Sequence, residues 1–572
     1  MGFRVGLIYT RFAAMPQAMW AALRDDGHTV MRPEDLGYET PLSPADMVRF
    51  AERASPDVIF CPFLKEVVPD EVCSRWTAWV PHPGIRGDAG PSSLSWAILR
   101  GERRWGVTMV RAEPVTAVEQ LDSGNVGAWR EFAMPDDASL SEIYAEYVTP
   151  AAIECAREIL SRMAVRRGFV GVPLAAYGSA IEGRYRPVLR QEQLAFSWED
   201  QPDEIVRRIR AASLGVRADL GGWPVNVFDA HHHDSDGTRF RPGSVIAHRD
   251  GAVLVGAGAG GAVWIGHARV RRNDGSRGLK LPAVEVARPQ LSGVAERVLH
   301  PDRRSRCPRT HQVIRYQRFG KVGWITASPY NGAASTGFCE RLLACLRYAA
   351  RQDTTAIALV GGRSAWNNGI HLGLIEAAPD PCAEAWANIQ AIDDVAELVF
   401  GLSRGRGGPR AQTTVAVLNA SAGAGGAVLS ACFDVVLARP SINLNYHYAT
   451  MGLSGSELRS LVLRLRAGKQ AARRLLAECL PTSPATAHRL GLVDAVGPDD
   501  PDVFRRWALD KAAEIADRPF QLRTPIDTRP YREDELEDMY LDIFEDRYGF
   551  AERRRAFLGV TGRPRPDART SV

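Results

Sequence analysis

Gly361-Gly-Arg-Ser-Ala-Trp-Asn-Asn-Gly-Ile-His-Leu-Gly-Leu-Ile-Glu-Ala-Ala378 decides how this chain is read. The apolar run 355–360 leads into it and predicts a buried strand. Two glycines follow, then a turn rich in Asn and Gly, then an amphipathic helix. A strand–turn–helix of this kind leaves free backbone N–H groups at the helix start, and such groups suit a developing oxyanion. A second stretch, Asn419-Ala-Ser-Ala-Gly-Ala-Gly-Gly426, follows the strand-like run 414–418 and opens another helix. Two such turns converging on one carbonyl make a two-donor oxyanion hole.

This pair of turns resembles the crotonase (enoyl-CoA hydratase/isomerase) pattern, in which the held group is a CoA thioester. The resemblance extends over residues 311–500: opening strands at 314–316 and 323–327, the turn Ser328-Pro-Tyr-Asn-Gly332, an amphipathic helix at 340–351 and the closing segment Ala485…Gly491-Leu-Val-Asp-Ala495. It implies Ile370 and Gly425 as the oxyanion donors. A hydratase also needs carboxylates to position water, but Val428 stands at the first of those positions and Tyr448 near the second, so alkene hydration is not expected. What remains is Asn443-Leu-Asn-Tyr-His-Tyr448…Gly455-Ser-Glu457, a phenol and a carboxylate able to move a proton on a one-carbon acyl group. Taken singly, Tyr448 reads as a hydrogen-bonded core tyrosine and Glu457 as a charge on a helix surface. His371 and Glu376 flank the first turn with weaker claims. Charged amphipathic helices are expected over 501–560, covering the pocket or pairing subunits, and the polar, Pro-rich tail 561–572 is expected to be disordered.

Composition narrows the function. At 572 residues the chain has room for about three or four domains. Its 45% hydrophobic and 24% charged residues are those of a globular chain, and a net charge of +4 does not argue for nucleic acid. The nine cysteines are scattered with no Cys-x-x-Cys spacing, which disfavours a zinc ribbon and fits a reducing cytoplasm. The start of the chain reads as a short strand and not as a signal peptide. The weakly polar run 252–265 falls short of the roughly 20 residues of a membrane span. A soluble cytoplasmic protein is expected, binding small molecules and neither nucleic acid nor membrane.

The N-terminal third alternates strands (4–9, 58–60, 79–80, 106–110) with helices (16–24, and one started by Ser43-Pro44), which predicts a mostly parallel, Rossmann-like sheet with ligands at the carboxyl ends of its strands. Three polar stretches fall there: Thr10-Arg11, Pro81-His82-Pro-Gly-Ile-Arg-Gly-Asp88-Ala-Gly-Pro-Ser92, and Asp122-Ser-Gly124. Asp122 orients and raises the pKa of His82 if the two loops meet. Alone, His82 would be a turn residue. The combination resembles the folate-dependent formyltransferases. Cys61-Pro-Phe-Leu-Lys65 matches their pterin loop, with Phe63 and Leu64 as contacts, and His82 the catalytic His; Ile85 and Gly87 lie in the His loop, and Gly124 in the Asp motif. One departure is plain: Val80 stands where that family has an Asn donor.

Residues 163–289 resemble the small strand-rich, barrel-like (OB-like) C-terminal domain of the same enzymes, with strands at 223–229 and 262–265 and the segment 278–283 closing the barrel. Gly256-Ala-Gly258-Ala-Gly-Gly261 fits a dinucleotide fingerprint, but a strand follows where a helix is required. His231-His-His233 between Asp229 and Asp234 reads as a polar loop, since adjacent histidines point different ways; no metal is assigned. Residues 290–310, rich in Arg and Pro, read as a linker.

A formyltransferase fused to a crotonase resembles the HypX-type hydrogenase-maturation family over nearly the whole chain. The segments that carry this include Asp88-x-Gly-Pro-Ser-Ser-Leu-x-Trp-Ala-Ile98, Trp366-x-Asn-Gly-Ile-His371, Ala387-Asn-Ile-Gln-Ala-Ile-Asp-Asp394 and Tyr448…Met451-Gly-Leu…Gly-Ser-Glu457. The resemblance implies formyl transfer from 10-formyl-tetrahydrofolate to coenzyme A, then decarbonylation of formyl-CoA to carbon monoxide and CoA. It implies catalytic roles for His82, Asp122, Ile370, Gly425, Tyr448 and Glu457, with Trp366 on the cofactor side and Arg11 at the CoA phosphates. Ala89, Ser95 and Ser421 stand where the family has Arg, Asp and Asn. Two alternatives stay open: an N-formyltransferase for a small amine with a repurposed crotonase half, and a crotonase half that only binds CoA.

Overall fold

The computed structural model describes residues 2–114, 122, 124–166, 168–234, 237–272, 277–303 and 309–560. The tail from 561 and Ser123 of the Asp motif lie outside them. The chain forms two compact units that meet in sequence between Leu194 and Ala195. Among the described residues no helix is long and apolar enough to cross a membrane.

The first unit is built on six strands: β1 (Arg4–Leu7), β2 (Thr29–Met31), β3 (Val58–Phe60), β4 (Ala78–His82), β5 (Arg104–Arg111) and β6 (Val126–Ala133), in the order β2-β1-β3-β4-β5-β6. Strands β1 to β4 pair in parallel, as the alternation with helices predicts, with Ser43 capping the helix Pro44–Ala54. The sheet then reverses, and β4–β5 and β5–β6 are antiparallel. The connection from β4 to β5 contains one helix, Ser93–Arg100, of 8 residues. The reversal sets the end of β5 beside the start of β4, Arg111 opposite Trp79, and the loop after β5 brings Asp122 back to His82. The unit continues past the expected boundary at 162, and Arg186 is an integral part of it.

The second unit holds two sheets. Seven strands form the first: β7 (Val216–Leu220), β8 (Trp223–His232), β9 (Val245–Arg249), β10 (Ala252–Gly256), β11 (Ala262–Val270), β12 (Leu281–Pro282) and β13 (Ala295–Glu296). The order is β13-β9-β10-β11-β8-β7, with β12 on β11. Three expectations are corrected. The segment 278–283 does not close a barrel; its β12 pairs with β11, and the edge strands β7 and β13 stay apart. The expected linker supplies β13, which pairs with β9. His231 and His232 lie inside β8 and not in a polar loop, because the β-branched and aromatic run before them carries the strand on. The Gly-rich stretch 256–261 turns the antiparallel hairpin β10–β11, so its glycines open no helix.

The third sheet comprises β14 (Ile314–Phe319), β15 (Val322–Ala327), β16 (Ala356–Val360), β17 (Thr413–Leu418), β19 (Val435–Ala438) and β21 (Ala495–Val496), parallel beyond the first pair; β18 (Ala422–Gly423) and β20 (Leu444–Asn445) make a separate parallel pair. The apolar run ahead of the quoted stretch is β16, buried throughout. The helices Pro381–Leu402 and Thr336–Ala350 pack on one face, Pro501–Asp517 on the other. The C-terminal helices Arg529–Phe544 and Phe550–Leu558 add Met539, Ile543 and Phe550 to the same core as the two quoted turns.

Candidate active sites

In the first unit the imidazole of His82, last residue of β4, is 3% exposed and held between two carboxylates. Its Nδ1 lies 3.0 Å from Asp122 Oδ2, and its Nε2 lies 3.3 Å from Asp88 Oδ2 and 3.2 Å from Ser93 Oγ. Ser93 donates to Asp88, whose other oxygen accepts from Arg186 Nε at 2.6 Å. Only glycine fits at 84: a Cβ there would come 2.5 Å from His82 Nε2. Burial works against a charged imidazole, but Asp122 and then Asp88 outweigh it and raise the pKa of His82 to about 9. His82 is therefore an imidazolium at neutral pH, a charged hydrogen-bond donor more than a base. Asp122 itself takes a left-handed backbone (φ 60) and accepts a hydrogen bond from Gly90 N at 3.2 Å, which ties the Asp loop to the His loop.

The pterin-loop residues lie at the same end of the parallel strands. Phe63 has φ 57 and is 39% exposed; its carbonyl accepts from Thr10 N at 3.3 Å, and Lys65 N donates to Thr10 Oγ1 at 2.8 Å. Leu64 packs against the core of this unit, and Arg11 is exposed at the end of β1. Ile85 and Gly87 belong to the turn in which Asp88 N donates to the Ile85 carbonyl at 2.9 Å. Gly124 packs so tightly on the Arg111 carbonyl that a Cβ would sit 2.2 Å from it. Sequence reasoning missed Asp88, Ser93 and Arg186 as parts of the site. Asp88 and Ser93 had a local signal, six and eleven residues after the His; Arg186 had none.

In the second unit the two Gly-rich turns do converge. A Cβ on Gly369 would lie 3.2 Å from Gly425 N. The neighbouring N–H groups are committed: Gly369 N to Asn367 Oδ1, His371 N to Asn388 Oδ1, Gly423 N to the Asn367 carbonyl and Ala424 N to the Asn445 carbonyl. The N–H groups of Ile370 and Gly425 find no acceptor among the described residues. Beside them lie Tyr448 and Glu457. Tyr448 donates to Glu457 Oε2 at 2.6 Å, and a Cβ on Gly425 would sit 2.1 Å from Glu457 Oε1. Glu457, 1% exposed, is no surface charge. Burial, helped by the nearby Glu535, lifts its pKa to about 7 against the hydrogen bond from Tyr448. Burial and Glu457 push the Tyr448 phenol well above its ordinary value.

The remaining expected residues have other places. Trp366 is 3% exposed and edge-on to Phe433 in the core, where it props the first turn from beneath. His371 caps the helix Leu372–Ala377 by accepting from Leu374 N, and Glu376 is paired with Arg554 and Arg555. Asp229, His231 and His311 bring ligating atoms within 4.8 Å of one another, near enough for a metal. Yet the two Asp229 oxygens already face His231 (2.7 Å) and His267 (3.4 Å), and the His311 Nε2 faces the Asp250 carbonyl at 3.4 Å, so these groups have partners within the protein.

Comparison with known proteins bears on both sites. The formyl transferase C-terminal domain family matches residues 188–277, and the enoyl-CoA hydratase/isomerase family matches residues 410–525. Over 565 residues the chain is 35% identical to the hydrogenase maturation factor HoxX of Bradyrhizobium diazoefficiens, covering 96% of this chain and 92% of that protein. The crystal structure of HypX from Aquifex aeolicus in complex with tetrahydrofolic acid superposes with a TM-score of 0.88 at 32% identity, over 98% of this chain and 97% of that one. A methionyl-tRNA formyltransferase of Pelotomaculum thermopropionicum is 21% identical over 251 residues, 42% of this chain and 75% of that protein.

Proposed function

The chain belongs to the HoxX/HypX family of hydrogenase maturation factors, and from that premise we propose that it is a two-site enzyme: it moves a formyl group from 10-formyl-tetrahydrofolate to coenzyme A, then splits formyl-CoA into carbon monoxide and CoA. The observation that carries this reading is the pair of uncommitted amides, Ile370 N–H and Gly425 N–H, with the Tyr448–Glu457 pair against them. A thioester oxygen between those amides draws charge off the formyl carbon.

In the first step the CoA thiolate adds to the formyl carbon, the carbon–N10 bond breaks, and N10 takes a proton. His82, kept protonated by Asp122 and Asp88, supplies a charged donor where the tetrahedral oxyanion forms; with Val80 in the family's Asn position, this charge replaces a neutral donor. The pterin lies along Phe63, Leu64, Ile85, Gly87 and Gly124, and Arg11 meets a CoA phosphate. In the second step Glu457 takes the formyl proton as the carbon–sulfur bond breaks. The C–H electron pair stays on carbon, carbon monoxide leaves, and the proton passes to the thiolate, so no oxidant or reductant is needed. A pKa of about 7 lets Glu457 both accept and return that proton at neutral pH. The carbon monoxide would serve hydrogenase maturation.

The test is release of carbon monoxide from 10-formyl-tetrahydrofolate and CoA, trapped by reduced haem protein. Its appearance, dependent on both substrates, is expected. Its absence together with formylation of an added small amine would replace this reading with an N-formyltransferase.

A further inference from the structure

The loop that carries Glu457 is held in place by side chains from two distant helices. Glu457 (φ 63) and Leu458 (φ 59) are consecutive non-glycine residues in the left-handed region, a conformation that persists only where the surroundings enforce it. The enforcement is visible in the backbone. Ser454 N donates to Asp542 Oδ2 at 2.6 Å, Gly455 N to Met539 Sδ at 3.1 Å, and Glu457 N to Asp393 Oδ1 at 2.7 Å. Arg459 N and Ser460 N donate to the two oxygens of Glu535, at 3.1 and 2.7 Å. Those last two groups open the helix Arg459–Glu478, whose N-cap residue, Leu458, has no side-chain oxygen; Glu535 caps the helix from outside. Asp542, Met539 and Glu535 all lie on the helix Arg529–Phe544.

Asp393 lies on the helix Pro381–Leu402, 1% exposed, with Oδ2 lacking any hydrogen-bond partner. The same helix carries Asn388, which accepts from His371 N at 3.0 Å and donates to the Ala334 carbonyl at 2.9 Å, fixing the turn that holds Ile370. One helix thus indexes both halves of the second site. Three carboxyl groups, those of Glu457, Asp393 and Glu535, are buried near one another, an arrangement that packing alone would avoid.

We propose that Asp393 and Glu535 are positioning residues for Glu457: they fix its left-handed backbone so that the carboxylate stays against Gly425 and Tyr448, and they make the helix Arg529–Phe544 part of the second site. This rests on Glu457 as the proton-handling group proposed above. The groups that interact with Glu457 are Tyr448, Ser456, Glu535, Asp393, Cys432 and Cys339.

Two readouts separate this proposal from the function it rests on. With formyl-CoA supplied directly, Asp393→Ala should lower kcat for carbon monoxide release by about 10-fold or more with KM nearly unchanged, and Asp393→Asn, which still accepts from Glu457 N, should recover most of it. Glu535→Gln should move the pH profile to lower pH, because a buried like charge is gone. Independently of any turnover, amide hydrogen exchange over 454–460 should quicken in Asp393→Ala and stay slow in Asp393→Asn. A parental kcat, profile and exchange pattern in these variants would overturn the positioning role. A parent chain that gives no carbon monoxide would overturn the function instead, with the exchange experiment still deciding the role of Asp393. Should the Ala variant not fold, parental exchange over 454–460 together with an unshifted pH profile, both in Glu535→Gln, overturns the proposal.

Discussion

At the scale of single residues, His82 and Glu457 both have raised pKa values, and their pH windows separate them. His82 has its pKa raised from 6.5 to about 9, so its pairing with Asp122 and Asp88 contributes full stability below pH 6.5 and loses it as pH rises through 9. Substituting His82→Gln should therefore lower Tm more at pH 6 than at pH 10; equal losses would mean the imidazole is neutral in the fold. Glu457 has the same sign in a lower pH window. Its pKa is raised from 4.5 to about 7, so the native state holds a proton the unfolded chain has released, and stability falls as pH climbs through that window. Relative to the parent, Glu457→Gln should gain Tm between pH 5 and 8, followed by calorimetry. Gly425→Ala is the sharpest steric test: with a Cβ 2.1 Å from Glu457 Oε1, carbon monoxide release should drop by about 100-fold or more while formyl transfer persists. At this scale the sequence was legible in its geometry wherever a backbone motif carried it: the turns that bear Ile370 and Gly425 converge, and His82 meets Asp122. It was not legible for Arg186, Asp393 or Glu535, whose partners are 98, 64 and 76 residues away. Nor did the sequence show that Trp366 faces the core.

At the scale of elements, hydrophobic periodicity found the strands β1, β3 and β16 and helices such as Ala14–Asp25 and Pro501–Asp517, because burial of one face is a local pattern. It did not show that β5 and β6 run antiparallel, since strand direction depends on how far a connection can reach. It also read 278–283 as a barrel closure where the segment pairs with β11. The C-terminal helices were legible as helices that cover the pocket or pair subunits, but not in which of their residues reach the loop around Glu457. The helix Phe550–Leu558 ties down the helix that follows Ile370, through Arg554 Nε to Glu376 Oε2 at 2.8 Å with both groups mostly buried. Arg554→Ala leaves that carboxylate with only the more exposed Arg555 and should cost about 3 kcal/mol in urea unfolding. It should also lower turnover of formyl-CoA, whereas a change below 0.5 kcal/mol would make the pair ornamental.

At the scale of the whole molecule, the two steps proposed above would fall in separate compact units, with His82 in one and Glu457 in the other. The steps should therefore come apart. A His82→Ala chain, unable to load the thiol, should still release carbon monoxide from added formyl-CoA at the parental rate. The measurement that bears most directly on a carrier thiol loaded at one site and emptied at the other uses the Tyr448→Phe chain, 10-[13C]formyl-tetrahydrofolate and CoA, followed by 13C NMR with haem trapping of gas. The carbon label is expected to collect as a formyl thioester while carbon monoxide release falls by about 100-fold or more. Labelled carbon monoxide appearing at the parental rate, with no thioester ever detected, would contradict it.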